Sequence, residues 1–192
     1  LPANNYAELV KWLEANKGKI NLANAGLGAA SHLCGLLFQQ SVKVEMTTVP
    51  YKGTGPAMTD LLGGQVDMLA DSSSWAPHVE AGKLRLLATW GEQRTSRFSN
   101  TPTLKELGFN VVVDAPNGIG APAGLPSDVE KKLRDAFRFA VNSDEFKTVA
   151  SRIDAPLMYL DGPDYKKYVA QMFQHESRLI ERLKLKELLA KG

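Results

Sequence analysis

The sequence predicts an α/β fold, a largely parallel sheet with helices on both faces. Three observations predict it. Apolar stripes at helical spacing alternate with short apolar runs, several of them rich in Val and Thr, from almost the first residue. Several of the runs end in a glycine turn that leads into the next helix. The connections are short, as repeated β–α–β units require.

Tyr6, Leu9, Val10 and Leu13 form one helical stripe, with Asn4 or Asn5 as cap and Gly18 as stop. Residues 20–25 read as a strand running into Gly26-Leu27-Gly28, and a second helix follows over 29–40. Residues 42–51 read as a strand. A short helix follows over 54–62, with Pro56 in its first turn and Gly63-Gly64 ending it. Residues 66–70 are another apolar strand, 76–81 a helical turn and 84–89 a strand. Residues 91–102 are polar and turn-rich, and 103–107 read as a short helix. Residues 110–121 are extended, interrupted by Pro116 and Gly118, where a bend between lobes is expected.

The last third changes character. Ser127 and Glu130 form a capping box, with Ser127 as N-cap, before a helix carrying Leu133, Phe137 and Ala140. Residues 156–160 read as a short strand. A long helix starts near Pro163, its stripe running from Tyr165 and Tyr168 to Ile180 and Leu183. Its basic residues form a solvated face and favourable charge at the C-terminal end.

The 192 residues suffice for one sizeable α/β domain or two small lobes. With 23 basic and 21 acidic side chains the net charge is +2, too balanced to argue for nucleic acid or a membrane surface. No apolar run approaches the ~18–20 residues of a membrane span. The first residues, LPANNYAELV, hold no basic stretch leading into an apolar one, so no signal peptide is read there. A single cysteine, Cys34, excludes an internal disulfide and reads as a buried structural thiol. One Cys and three scattered His build no metal site. No cofactor is expected.

The sharpest feature is Asn24 to His32, NAGLGAASH, at a strand end that opens a helix. Gly26 and Gly28 let the backbone approach a ligand, and the N–H groups of Ala29, Ser31 and their neighbours face it. A helix N-terminus adds about 0.3–1 kcal/mol for an anion, so a carboxylate or phosphate fits. His32 either contacts the ligand or orients the loop by a local hydrogen bond. A second loop, Tyr51-Lys52-Gly53-Thr54, repeats the design, with Thr54 as a possible cap and Lys52 as a charge for an anion or merely exposed. A third offers Asp71 and Ser72, where Asp71 either meets a cationic or hydroxyl group or caps the next turn. Three such loops on one sheet edge converge on one site. No G-x-S-x-G elbow, H-E-x-x-H or P-loop is present, and His78 and His175 read as surface or packing residues. The G-x-G-x-x-S run lacks the third glycine of a dinucleotide fingerprint, and Glu45, at the right distance, lies in mid-strand.

These residues resemble a family. Asn24 to Phe38, NAGLGAASHLCGLLF, is similar to the AGxGSSxHLAGELF segment of Bug/TctC solute receptors. Val49 to Ser72 matches their VPYKG and DLLGGQVD run nearly residue for residue, and 77–88, 101–109 and 120–126 continue it in order. The resemblance implies a type II periplasmic-binding-protein fold, a two-lobed clamshell closing on a small carboxylate. It implies a periplasmic, non-enzymatic receptor feeding the membrane subunits of a tripartite tricarboxylate transporter. Where the family carries Ser, this chain has Ala29 and Ala30, which reduces hydroxyl contacts from that turn. The resemblance further implies that 1–117 are the complete second lobe and 118–192 return to the first, the rest of which is absent. The chain is then an N-terminally truncated form. Its C-terminal helices are expected to expose an apolar face, associate with a second chain or rearrange. The alternatives are the effector domain of a LysR-type regulator, which shares the fold, and a nucleotide-dependent enzyme.

Overall fold

The computed structural model describes residues 1–72, 74–113, 116, 118–155 and 157–189, leaving the side chains of Leu188 and Leu189 aside. The chain divides into two compact units, Leu1–Ala115 and Pro116–Gly192.

In the first unit, α1 (Tyr6–Ala15) starts at Asn5, whose side chain accepts from the Glu8 N–H at 3.0 Å. Glu8 reaches back to the Asn4 N–H at 2.7 Å, so two orphan donors are answered reciprocally. The helix stops at Ala15, and Gly18 (φ +75) belongs to the turn that follows. Three parallel strands come next: β1 (Asn21–Asn24), β2 (Thr47–Pro50) and β3 (Met68–Leu69), in the order β2-β1-β3. Asn21 pairs with Thr47 and Asn24 with Pro50, while Leu22 pairs with Met68. Between them run α2 (Ala30–Val42) and α3 (Thr54–Leu62), and α4 (Ala76–Glu80) follows β3.

The alternation of β1 sets the two layers. Leu22 joins a core with Leu9, Leu13, Ile20, Val44 and Met46, and lies against Gly35 of α2, where an added Cβ would sit 3.1 Å from its Cδ2. Its neighbour Ala23 points the other way, into a second core with Ala57 of α3 and Val66. The sheet is thus covered on both faces, which the apolar strands anticipated. Cys34 is buried.

Four expected elements differ, the first being the strand read at 66–70, which shortens to Met68–Leu69. The strand read at 42–51 shortens to Thr47–Pro50, because Lys43 (φ +55) caps α2 and Val42 remains helical. Residues 84–89 form no ladder. Leu84 N–H is held by the His78 carbonyl at 3.1 Å, and only Thr89 bridges, to Thr103. At 103–107 there is a turn rather than a helix. Thr103 and Glu106 satisfy each other's N–H groups, but after the single bond from Leu107 N–H to Thr103 the chain turns at Gly108 (φ +90).

In the second unit, α5 (Ser127–Val141), α6 (Asp144–Arg152), α7 (Gly162–Arg182) and α8 (Leu185–Leu189) follow. Ser127 is not the N-cap. The Glu130 N–H bonds to the Pro126 carbonyl at 2.9 Å, which moves the cap to Pro126, and Glu130 pairs with Arg134 instead. Helix α6 was not expected; Ser143 caps it by accepting from Phe146 N–H at 3.2 Å. The strand read at 156–160 does not form over the described residues 157–160, and Pro156 lies outside them. Lys184 (φ +51) separates α8 from the long helix. Asp161 caps α7 and gathers Arg134 and Arg138 of α5. Apolar side chains stand exposed along these helices, Phe139 at 79% and Phe173 at 73%. That is one of the three outcomes expected for the C-terminal segment. No helix among the described residues is long and apolar enough to cross a membrane.

Candidate functional site

The carboxyl ends of β1, β2 and β3 carry the three loops read from the sequence, and hydrogen bonds tie them together. Tyr51 N–H donates to the Asn24 carbonyl and Gly53 N–H to the Ala25 carbonyl, each at 3.0 Å. Ala70 N–H donates to the Ala23 carbonyl at 2.9 Å. Thr54, beyond β2, donates its hydroxyl to Asp71, beyond β3, at 2.7 Å. Strands β2 and β3 flank β1 and so stand two strand spacings apart, about 9–10 Å. The Thr54–Asp71 bond therefore joins the two outer loops across the end of β1.

The first loop is shaped by its own side chains. Asn24 is 1% exposed and accepts from Gly26 N–H at 2.9 Å. Because that donor requires an oxygen, the amide orientation is fixed, and Nδ2 meets no acceptor among the described residues. Ser31 accepts from Ala25 N–H at 3.1 Å, which leaves its own proton available. Gly26 holds φ +139 with the Tyr51 carbonyl 3.1 Å from where a Cβ would stand. Gly28 holds φ +78 in open space. Ala29 is the N-cap of α2, and no side chain caps the helix. The first-turn N–H groups of Ala30, Ser31 and His32 thus have no acceptor within the helix or from a cap.

His32 is 4% exposed, and its Nδ1 accepts from Gly28 N–H at 3.1 Å. Burial pushes its pKa below the usual histidine value, so the ring is neutral with the proton on Nε2. The local bond that orients the loop is thus formed through Nδ1.

In the second loop Gly53 (φ +100) is the N-cap of α3, and Thr54 is its first helical residue rather than its cap. The Thr54 hydroxyl goes to Asp71 instead. Lys52 is exposed and makes no ion pair among the described residues. Tyr51 donates its hydroxyl to Asp60 at 2.6 Å, and that bond raises the phenol's pKa.

In the third loop Asp71 is 5% exposed and accepts from Thr54 on one oxygen and from Ser74 on the other. It does not cap α4, whose N-cap is Trp75 with no side-chain bond. Ser72 is exposed, and its carbonyl accepts from Trp75 Nε1 at 3.2 Å. Ser74 is the residue the sequence reading missed; an Asp followed three positions later by Ser was the available signal.

The arrangement presents donors around the first loop and a buried carboxylate carrying two hydroxyls at the third. Among the described residues it assembles no nucleophile with a base.

The model of the tripartite tricarboxylate transporter family receptor (TctC) matches residues 1–185. A curated relative from Cupriavidus necator, the UPF0065 protein in the gbd 5′ region, is 37% identical over 184 residues, covering 96% of this chain and 56% of the relative. The chain thus spans little more than half of that relative's length. Among solved structures, the periplasmic binding protein BugD is 31% identical with a TM-score of 0.86, covering 96% of this chain and 63% of BugD. Rpa4515 of R. palustris, solved with adipate, is 26% identical with a TM-score of 0.88, covering 96% and 62%. The likeness to BugD and Rpa4515 supports a periplasmic-binding-protein fold of which this chain spans about three-fifths.

Proposed function

The chain belongs to the tripartite tricarboxylate transporter receptor family, and from that membership we propose that it captures a small carboxylate at the carboxyl edge of its sheet and performs no chemistry on it. The observation that carries the proposal is the knot of three strand-end loops around Asn24, with uncapped N–H groups on one side and the two outer loops joined by the Thr54–Asp71 bond. The adipate bound by Rpa4515, a dicarboxylate, supports the same ligand class. The ligand-binding residues of this reading are Asn24, Gly26, Gly28, Ala29, Ser31, His32, Lys52, Gly53, Thr54, Asp71 and Ser72, and His32 also holds the first loop in shape.

In the same reading the receptor works in the periplasm and hands its ligand to the membrane subunits of a tripartite tricarboxylate transporter. Residues 1–117 form the ligand-bearing lobe, and 118–192 return to the other lobe. The apolar residues exposed along α5 and α7 support that assignment, because a return segment turns such a face toward the remainder of its lobe or toward a second chain. A regulator's effector domain is not favoured, since the family match spans nearly the whole chain. A nucleotide-dependent enzyme is not favoured either: the loop ends in Ser31, whose hydroxyl is used to hold Ala25.

Thermal unfolding with a panel of di- and tricarboxylates, aromatic acids and amino acids, set against NAD(P), tests the proposal. A carboxylate at 100 times its Kd adds about 2.7 kcal/mol, a rise of roughly 5–10 °C for a chain of this size. Stabilisation by NAD(P) alone overturns the reading.

A further inference from the structure

We propose that Asp71 selects a carboxylate bearing a hydroxyl or ammonium group beside its carboxyl over the unsubstituted acid. The inference rests on the carboxylate reading of this edge and adds the chemistry of the ligand's second group.

A hydroxyl owns one hydrogen and two lone pairs. Thr54 gives its hydrogen to Asp71 Oδ1 and Ser74 gives its hydrogen to Oδ2. Both hydroxyl oxygens are thereby fixed as acceptors, and the carboxylate between them is an acceptor only. Among the described residues no Lys, Arg or His lies within ion-pair distance of Asp71. The carboxylate is nevertheless buried, which is unfavourable unless further donors reach it. This side of the site thus repels a ligand carboxylate and accepts from a ligand donor.

The first loop is opposite in kind. Asn24 Nδ2 holds two hydrogens that meet no acceptor among the described residues, Ser31 keeps its proton, and the first N–H groups of α2 are uncapped. A ligand carboxyl is drawn there. The backbone bond from Ala70 to Ala23 and the Thr54–Asp71 bond tie the third loop to the end of β1 and to the second loop. A ligand that carries both a carboxyl and a donor answers both kinds of group.

The test uses the full-length product of the gene that carries this sequence. Calorimetric titrations compare matched acids: succinate, malate and aspartate, then glutarate, 2-hydroxyglutarate and glutamate. At one chain length or both, the hydroxy or amino acid is expected to bind at least tenfold tighter than its unsubstituted partner, because lacking the donor leaves buried acceptors unpaired. Asp71→Asn is expected to bring that ratio within about threefold. Thr54→Val, which removes one of the two fixed acceptors, is expected to reduce the ratio at least threefold, and it carries the test if the first variant does not fold. Equal or tighter binding of succinate and glutarate in the unaltered protein overturns the inference and leaves the carboxylate reading standing. A ratio unchanged in both variants also overturns it. Binding of NAD(P) with no response to any acid overturns the carboxylate reading itself, and the inference with it.

Discussion

Gly26→Ala should be far more damaging than Gly28→Ala, although both glycines sit in one loop with positive φ. An L-residue held at positive φ costs about 1–2 kcal/mol. At Gly28 (φ +78) a Cβ meets nothing within 4 Å, so only that cost applies, about 1 kcal/mol. At Gly26 (φ +139) the Cβ stands 3.1 Å from the Tyr51 carbonyl oxygen. That oxygen is main chain and cannot swing aside. Tyr51 is tethered by its N–H to Asn24, and Gly53 by its N–H to Ala25. Shifting that strand end costs about 1–2 kcal/mol more. The total for Gly26→Ala is about 2–4 kcal/mol, a fall in Tm of roughly 5–15 °C. Urea unfolding followed by tryptophan fluorescence reads this directly, since Trp12, Trp75 and Trp90 all lie in the first unit. A lower midpoint at unchanged slope is the expected result. Equal stability losses for the two variants would refute the close approach of the first two loops.

Two pH effects follow from named groups. His32 is buried with its pKa below the unfolded value of about 6.5, so the unfolded chain takes up the proton first. Stability is complete above that value and falls as pH drops below it, by at most about 1.4 kcal/mol per pH unit. His32→Asn keeps an acceptor for Gly28 N–H and should lose less stability than the unaltered chain between pH 7.5 and 5.0 in urea titrations; an identical loss in both contradicts the assignment. Asp161 is lowered to about 2, first by its hydrogen bond from Arg134 and then by Gly162 N–H. Its contribution is present above the unfolded carboxylate value near 4 and is lost between about pH 4 and 2. Circular dichroism during acid titration should show a shallower loss of helix over that window in Asp161→Asn, and an unchanged acid limb would exclude this role.

The sheet and its helices were legible because local signals agreed with the final packing. Helix α3 runs over 54–62 as read, since Gly53 and Gly63-Gly64 bound it on both sides. The alternation of Leu22 and Ala23 carried both layers. Elements failed where a single residue's backbone decided the outcome. Residues 84–89 have strand composition, but a ladder depends on a neighbouring strand, which local sequence does not encode. At 103–107 a good capping pair was defeated by Gly108. Ser127 lost its role because Pro126 offered a carbonyl one residue earlier. At the site, the glycine loops were visible as loops, while the Thr54–Asp71 bond joins residues seventeen apart through strand order. Local reading therefore assigned Thr54 to its own helix. Asp71's second donor, Ser74, is not legible for a different reason: Ser72 stands adjacent, and spacing alone does not say which serine bonds to Asp71.

Hydrogen exchange at the three loops tests the account most directly. The carboxylate that gives the largest thermal shift is added at saturation, and amide protection is read along the chain. Slowed exchange is expected at Leu27, Ala30, Ser31 and His32, at residues 51–54 and at Asp71, Ser72 and Ser74, if the ligand binds among these loops as proposed. Protection confined to other segments, with these loops exchanging as in the free protein, would contradict it.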